Sequence, residues 1–321
     1  MAQFTQYDST DASAPTLSGT VGTLITVLDA VLVNGYGSKS PAGWTKPYSG
    51  TNKAAYRAGA GLLHYSRIQD DGPGVHGGRE ARLTNYITMS DVDTGTGQNP
   101  TNYNAAGYGY ATIRKSASAD STTRTWRVFA DNRTVYIFIQ TGDVASRWHG
   151  FSFGEFYSNI TYDSARTYVV GNIQEAGTTG DYNGLALHHK INQTSNCFSF
   201  CRGYTGVGAP VLGGMSGDRS VSPSSGLHLE GGVPWPNPID GGVYLAPLYL
   251  YEQSNRVIRG TLRGFWHFCH AVSNVNDGDT FTGSGALSGK TFYVVKNTVL
   301  RSDGGGPGVY IIETSNTLDT N

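Results

Sequence analysis

The stretch "TWRVFADNRTVYIFIQ", residues 125–140, decides the fold of this chain. Two runs rich in β-branched and aromatic residues, 125–130 and 134–140, flank the turn-forming triplet "DNR". Such an arrangement is typical of a β-hairpin. Similar runs recur along the chain, so the sequence predicts a mainly β protein. We expect antiparallel sheets in a sandwich or barrel-like arrangement, with one N-terminal helix and long Gly/Pro-rich loops.

Further strands are predicted wherever a β-forming run lies between turn residues. These runs are residues 62–68, 81–89, 109–115, 150–156, 168–173, 185–190, 243–251, 257–262, 265–271, 290–296 and 308–313. A short helical turn is expected at 52–57.

Only one segment shows clear helical spacing, "TLSGTVGTLITVLDAVLVNGYG" near the N-terminus. Ser18 or Thr20 is a candidate N-cap, and Asn34-Gly35 suits a left-handed stop. The many β-branched residues lower helix propensity, so packing has to hold this helix, and a pair of strands is the alternative. The apolar residues at helical spacing are Val21, Leu24, Leu28, Val31 and Leu32.

The chain divides by composition into four parts. Residues 1–60 hold the predicted helix and a loop, which we interpret as an assembly segment, and residues 61–201 form a β domain. Residues 202–238 are a Gly/Pro-rich linker, and 239–321 form a C-terminal β region that packs alone or with 61–201 as one domain. The linker is either an arm over a neighbouring subunit or a loop folded over its own sheet, with Trp235 as its anchor.

The composition excludes some partners. The chain has 321 residues, a formal net charge of −1 and only 15% charged residues. A near-neutral charge provides no basic field for nucleic acid. Soluble monomers usually carry about 25% charged residues, so we expect other subunits to cover much of the surface, although β proteins rich in Gly, Ser and Thr can also be poor in charge. The N-terminus lacks the pattern of a secretory signal, and the apolar run 24–33 is too short to span a bilayer, which predicts folding in a cytoplasm without membrane insertion.

Candidate metal and phosphate sites are incomplete. Cys197, Cys201, His267 and Cys269 are zinc-type ligands, but their spacings differ from the usual two-residue spacing, so we expect half-buried core residues. "GSGALSGKT", residues 283–291, lacks the first glycine of a phosphate-binding loop and precedes a strand, so it predicts a hairpin turn. "DVDTGTG" (91–97) and "NVNDGDT" (274–280) resemble parts of calcium loops and are better explained as Asx turns.

Hydrolytic chemistry has no complete signature either. The chain lacks a Gly-x-Ser-x-Gly elbow. Two carboxylates could cleave a glycosidic bond, but the sequence pairs none of the candidates. The candidate carboxylates are Glu155, Glu175, Glu230, Glu252 and Asp240. The sequence therefore predicts no catalytic, cofactor-binding or metal-binding residue.

Large aromatic residues have two interpretations. Trp44, Tyr48, Trp148 and Trp235 could form platforms that stack on sugars, or they could be core or interface anchors. The interface candidates are Leu24, Leu28, Val31, Trp44, Tyr48 and Trp235.

Three phrases carry a family resemblance: "VLVNGYGSKSPAGWTKPYSGTNKAAYRAG" (31–59), "MSDVDTGTG" (89–97), and "GKTF" with "IETSNT" near the end. Together they resemble a group of virion structural proteins from tailed phages and prophages, encoded in late gene regions. The resemblance implies a particle component rather than an enzyme. It brings no catalytic or binding residue to this chain.

The expected function is therefore a non-enzymatic structural component of a tailed-phage virion, in the tail or baseplate. It would assemble as a symmetric homo-oligomer with other virion proteins as partners, without a cofactor. The alternatives are a head decoration protein, an adhesin that binds a receptor or host-surface glycan, and a tail-associated glycan hydrolase. The expected location is the virion, assembled in the bacterial cytoplasm.

Overall fold

A computed structural model describes residues 4–71, 77–101, 109–143, 145–172, 196–215, 234–252, 255–270, 274–296 and 309–314. It is mainly β, with 47% strand and 8% helix, and all its strand pairings are antiparallel, which confirms the predicted fold class. The helix α1 is Thr23–Leu28, continued by a π-helical segment, Asp29–Asn34. The strands are β1 Thr5–Asp8, β2 Thr45–Gly50, β3 Lys53–Arg57, β4 Tyr65–Gln69, β5 Glu80–Tyr86, β6 Thr88–Asp91, β7 Thr94–Thr96, β8 Ala111–Arg114, β9 Trp126–Ala130, β10 Thr134–Gln140, β11 Trp148–Glu155, β12 Tyr157–Ser158, β13 Thr167–Asn172, β14 Asn196–Phe200, β15 Val211–Met215, β16 Leu245–Glu252, β17 Ile258–Phe268, β18 Thr280–Thr282, β19 Thr291–Lys296 and β20 Val309–Glu313.

The predicted hairpin at 125–140 is β9–β10, paired from Val135 with Ala130 to Ile139 with Trp126. Asp131 closes the turn, because its Oδ1 accepts the backbone N–H groups of Arg133 and Thr134 at 2.9 and 2.8 Å. All of β9 and nearly all of β10 are buried. Burial on both faces explains why apolar residues occupy consecutive positions in both strands instead of alternating with polar ones.

The structure contains two connected sheets, and this hairpin lies in the larger one. In the larger sheet, β1, β9, β10, β11 and β13 lie side by side, and β13 leads on to β14 and, through β8, to β5, β4, β3 and β2. In the smaller sheet, β17 is flanked by β16 on one edge and by β12 and β20 on the other, followed by β19 and β18. The strand β15 pairs with both β14 and β16 and so joins the sheets. Among the described residues the sheets do not close into a barrel, which leaves the sandwich-like alternative.

The main core lies between these sheets and includes the N-terminal helix. It combines side chains from residues 1–60, from the 61–201 strands and from the C-terminal strands, for example Leu28, Ile137 and Tyr310. A second, smaller cluster lies around Phe268 and Val294. In the described part of the chain, no helix is both long and apolar enough to cross a membrane.

The N-terminal segment is helical, but it begins differently from the prediction. Neither Ser18 nor Thr20 caps it: the cap position is Gly22, in the left-handed region at φ 83°. The first turn instead donates the Leu24 N–H to Oδ2 of Asp70, 2.9 Å away. Val21, expected on the apolar face, is exposed. The caps proposed from the sequence are therefore wrong, because a carboxylate 46 residues away satisfies the helix terminus.

The end of the helix agrees with the prediction. The π-helical segment stops at Gly35, whose φ of 75° favours glycine. Beyond the turn, the backbone N–H groups of Ala42 and Trp44 donate to the Val31 and Leu32 carbonyls at 2.9 and 3.0 Å. These bonds satisfy carbonyl groups that a helix end leaves free.

Several local predictions need correction. The helical turn expected at 52–57 is wrong, since Lys53–Arg57 is β3 and Asn52 forms the β2–β3 turn at a positive φ of 53°. The runs predicted separately at 257–262 and 265–271 form one strand, β17. Strand β15 lies inside the predicted linker 202–238, where no strand was expected. The strand predicted at 185–190 lies outside the described residues.

A buried ion pair fixes the start of the helix against the sheet. Nζ of Lys115 lies 2.5 Å from Oδ1 of Asp70, and both side chains are fully buried. The same ammonium donates to the Thr20 carbonyl at 2.5 Å. Burial raises the pKa of Asp70 to about 6 and lowers the pKa of Lys115, so the mutual attraction offsets only part of the desolvation cost.

Replacing Lys115 with Met should lower the free energy of unfolding by about 3–5 kcal/mol, because Asp70 would remain buried without its counter-charge. The double variant Lys115→Met/Asp70→Asn should recover much of this loss, since the amide oxygen can still accept the Leu24 N–H. Urea denaturation measures both. The control is Lys53→Met, which breaks the partly exposed Lys53–Asp93 pair and should cost about 1 kcal/mol at most. Equal losses for Lys115→Met and the control would show that the buried pair does not hold the helix.

Candidate functional site

Most of the predicted interface residues belong to the core of this chain. Leu24, Leu28, Val31 and Trp44 are buried in the main cluster, where no neighbouring subunit could reach them. Tyr48 is half-buried, stacks on Tyr65 with ring centroids 6.2 Å apart, and donates its hydroxyl to the Met89 carbonyl. The sequence identified apolar anchors without showing whether they face inward or outward.

Two of the aromatic residues considered as possible sugar-stacking platforms are buried. Trp44 packs edge-on against Phe153, and Trp148 lies beneath the guanidinium of Arg127 at 4.7 Å. Both indoles are too buried to stack on a glycan. For these two tryptophans the platform interpretation is wrong.

Trp235 is half-buried in the smaller core cluster of its own chain. Its ring contacts Phe268, His270 and Phe281 with centroid distances of 5.2, 5.5 and 5.2 Å. His270 Nδ1 bonds to the Pro234 carbonyl at 2.8 Å, and its Nε2 accepts the Tyr244 N–H at 2.7 Å. These contacts favour a loop folded over its own sheet at this end of the 202–238 segment; residues 216–233 lie outside the described residues.

The candidate zinc ligands do not assemble in the described residues. Cys201 is buried and its thiol donates to the Ala165 carbonyl at 3.1 Å, whereas Cys269 follows β17. The side chain of Cys197 lies outside the description. Within the described ranges, no three His, Cys, Asp or Glu side chains are placed to hold a metal ion.

Two of the candidate carboxylates are buried and fully engaged. Oε1 of Glu155 accepts the Leu62 N–H at 2.6 Å, and its Oε2 accepts Nε of Arg166 at 3.0 Å. Oε1 of Glu252 bonds to Arg259 at 2.6 Å, and its Oε2 accepts the Asn255 amide at 2.7 Å. Each carboxylate is bound within a separate ion pair. Glu175 and Glu230 lie outside the described residues, and Asp240 is in an exposed turn.

A buried histidine lies beside Glu155. Nδ1 of His64 is 4.0 Å from Oε1 of Glu155, and within the described structure neither ring nitrogen has a hydrogen-bond partner. The ring packs edge-on against Trp44. Burial lowers the pKa of His64 to about 3, so the imidazole is neutral at physiological pH.

A buried polar cluster centres on Arg259 of β17, whose side chain is fully buried. Nη1 contacts Oε1 of Glu252 at 2.6 Å, and Nη2 contacts Oδ2 of Asp163 at 3.0 Å. Nη1 also donates to the Arg202 carbonyl at 3.0 Å. The guanidinium lies over the rings of Phe156 and Phe200, 5.5 and 5.0 Å from their centroids.

Three connecting segments lie around this guanidinium: 159–166 after β12, 201–210 between β14 and β15, and 255–257 between β16 and β17. The first two contact it through Asp163 and the Arg202 carbonyl, and the third is linked to it indirectly, since Asn255 donates to Glu252. We call the three segments the Arg259-braced loops. Their exposed apolar residues are Tyr162 at 95% exposure, Val207 at 68%, Tyr204 at 45%, and Ile258 at 55% at the adjoining start of β17. Single exposed apolar residues are ordinary, whereas several of them on segments around one buried charge make this end of the molecule a candidate docking surface.

Tyr162 is held in an uncommon conformation. Its φ of 56° is in the left-handed region, which is unfavourable for an aromatic residue. Asp163 fixes the turn, because its Oδ1 accepts the Ala165 N–H at 2.8 Å and its Oδ2 accepts the Ser158 hydroxyl at 2.7 Å. The turn therefore presents the tyrosine ring to solvent rather than allowing it to fold back onto the sheet.

Sequence reasoning missed this surface. Its members lie in three segments far apart in the chain, and neither "NITYDSAR" (159–166) nor "GYTGV" (203–207) has a chemical motif. The only local signal is Tyr162 among turn-forming residues, which predicts that this tyrosine is exposed but does not relate it to Val207 or Ile258.

An open cleft of about 480 Å³ lies beside α1 and the β2–β3 hairpin. Lys46 and Lys53 line it, but Lys46 is paired with Asp29 at 2.6 Å and Lys53 with Asp93 at 3.0 Å. Because both ammonium groups have local counter-charges, the cleft offers little net charge to a ligand.

Replacing Arg259 with Met should lower the free energy of unfolding by about 3–5 kcal/mol, because Asp163 and Glu252 would stay buried without a cation. Hydrogen exchange should accelerate in the 159–166 and 201–210 amides, since both loops lose their shared contact. The matched control, Arg256→Met, changes an exposed arginine of the same turn and should cost about 0.5 kcal/mol or less. Unchanged exchange in the two loops would contradict the bracing role.

The pH dependence of stability should contain a contribution from His64. The folded pKa of about 3 lies below the ordinary value of about 6.5, so the unfolded state binds the proton more readily. The contribution of neutral His64 to the free energy of unfolding is complete above about pH 6.5 and is lost as the pH falls toward about 3. Between pH 7.5 and 5, the free energy of unfolding measured by urea denaturation should fall by about 2 kcal/mol less in His64→Phe than in wild type.

A control for the histidine experiment is Trp44→Phe, which disturbs the same packing without removing a titratable group. It should lower stability by a similar amount at each pH. If His64→Phe and wild type have parallel pH profiles, the histidine is not buried as a neutral base.

Neither the comparison with protein-family models nor the search of curated proteins gave a match to this chain. The resemblance to virion structural proteins of tailed phages stays a prediction, because these comparisons do not test it. The function has to be inferred from the chain's own residues and their geometry.

Proposed function

We propose that this chain is a non-enzymatic structural component of a tailed-phage virion, located in the tail or baseplate and assembled as a symmetric oligomer. Other copies of the chain and other virion proteins are its partners. The observation that carries this proposal is the group of exposed apolar residues on the Arg259-braced loops. It adds to the family resemblance and to the low content of charged residues.

The braced loops have the properties of a protein-binding surface. Tyrosine and arginine are enriched at the centres of protein interfaces, where lysine and acidic residues are depleted. Tyr162 and Tyr204 are exposed here, whereas the acids at this end, Asp163 and Glu252, are buried and paired with Arg259. Burying the apolar area against a partner would stabilise the assembly by about 25 cal/mol per Å² before binding costs.

The carboxylate geometry supports a non-enzymatic role. A glycosidase needs two carboxyl groups that reach the scissile bond from opposite sides. In Glu155 and Glu252 every carboxylate oxygen is occupied by an internal donor, and both side chains are buried. They act as structural anions that orient Arg166 and Arg259.

The decisive experiment locates the protein in purified particles of the phage or prophage that encodes it. Mass spectrometry of particles freed of host protein should detect the chain in many copies, and immunogold electron microscopy should label the tail or baseplate. An abundant host cytoplasmic protein carried through the same purification is the control for contamination.

Other outcomes would overturn parts of the proposal. Absence from purified particles would refute the structural role, and labelling over the capsid would replace the tail position with head decoration. Saturable binding of host-surface glycan that is lost in Tyr162→Ala would favour the adhesin. Turnover of polysaccharide by the purified chain would refute the non-enzymatic assignment.

A further inference from the structure

We propose that the oligomer forms by a head-to-tail contact, in which the Arg259-braced loops of one copy bind an exposed turn of the next copy. This second surface, the Ile239 turn, comprises residues 237–242 and the adjoining Tyr244. The inference rests on the proposed function, because it specifies the contact that would build the symmetric assembly.

The Ile239 turn is held by internal hydrogen bonds and is exposed at its tip. Ile239 at its tip is 91% exposed. Asp240 organises the turn, since its Oδ1 accepts the Asn237 amide at 2.6 Å and the Gly242 N–H at 2.8 Å, and its Oδ2 accepts the Tyr244 hydroxyl at 2.6 Å. The base is attached to the smaller sheet, because the Cys269 N–H donates to the Tyr244 carbonyl at 3.1 Å. An apolar tip on a fixed turn is suited to inserting into a second apolar surface.

The two surfaces lie at opposite ends of one hairpin. The Ile239 turn precedes Leu245, where β16 pairs with the end of β17 at Phe268. The braced loops are at the other end, because Tyr251 pairs with Ile258 and β12 meets β17 at Gly260. Strands rise about 3.4 Å per residue, so eight residues of β16 separate the surfaces by roughly 25 Å. One copy therefore cannot bring its own turn onto its own braced loops.

The charges of the two surfaces are complementary. The turn carries the exposed carboxylate of Asp240, and the Tyr244 hydroxyl holds the pKa of that carboxyl below its ordinary value. At the braced loops, Arg256 is exposed and Arg202 half-exposed, while the acids Asp163 and Glu252 are buried against Arg259. In the proposed contact, an acidic turn with an apolar tip would meet a surface of tyrosine, valine and isoleucine edged by arginine. This complementarity favours a second copy of this chain as the occupant.

This contact joins two different surfaces, so it is heterologous. Every copy has one free surface of each kind after pairing, and the assembly continues until it closes as a ring or extends as a filament. Two single-surface variants therefore give a sharp test. Ile239→Lys damages only the turn, and Ile258→Lys damages only the braced loops; both side chains are exposed, so neither change should disturb folding.

The test uses the full chain and measures mass by analytical ultracentrifugation at micromolar concentration. Wild type should form oligomers larger than a dimer, and each lysine variant alone should be monomeric, with association weakened about tenfold or more. An equimolar mixture of the two variants should give dimers and nothing larger, because only one intact pair of surfaces is available. Val21→Lys, which changes an exposed valine beside α1, is the matched control and should assemble like wild type. Thermal melts check that all variants are folded.

A charge-change pair adds an independent measurement. Arg256→Glu should weaken association by placing an acid opposite Asp240, and adding Asp240→Asn should restore part of it, since the amide keeps an acceptor for the turn. A monomeric wild type, lysine variants that assemble normally, or a mixture without dimers would each overturn the head-to-tail contact. These failures are separate from that of the virion role, which depends on finding the chain in particles.

Discussion

The buried guanidinium of Arg259 is the contact on which the loop end of this molecule depends. A charge removed from water is costly unless geometry and partners compensate for it, and here Asp163 and Glu252 do so. Asp163 lies 96 residues before Arg259, so the pair links distant segments of chain. The neighbouring Gly260 allows β12 to lie close to β17, because a Cβ at this position would overlap the Tyr157 carbonyl oxygen of β12. The 159–166 and 201–210 loops contact the guanidinium directly, so displacing either one would remove a partner from a buried charge.

Buried ion pairs occur elsewhere in the molecule as well, and they change the interpretation of the low charge content. Only 15% of the residues are charged, yet many of them form buried or nearly buried pairs: Lys115–Asp70, Arg263–Asp131, Arg127–Asp8, Lys290–Glu313 and the Arg259 cluster. The surface is therefore even poorer in charge than the composition suggests. A weakly charged surface and a net charge near zero favour association between copies, because little electrostatic repulsion has to be overcome.

Local patterns in the sequence predicted the fold class well. The β9–β10 hairpin and the apolar stripe of Leu24, Leu28 and Val31 depend on neighbours in the chain, and both have the predicted secondary structure. The helix cap was not predictable, because its acceptor is Asp70, which follows β4 and is distant in the chain. Strand β15 was missed because its glycines carry no strand signal, although its edges pair with β14 and β16. The candidate surface was missed for the same reason: long-range contacts bring its members together.

The conformation of Tyr162 connects the loop architecture with assembly. A non-glycine residue with positive φ costs on the order of 1–3 kcal/mol, and a ring that contacts mainly water returns none of it to the folded monomer. Strain of this kind persists at sites where a fixed conformation serves binding, because a pre-organised loop loses little entropy when its partner arrives. The Ile239 turn is fixed in the same way by Asp240. In the proposed assembly the β16–β17 hairpin lies between the two surfaces, so it would set both the distance and the rotation from one contact to the next. The twist of that hairpin, rather than the strength of either contact, would then determine whether successive copies close into a ring.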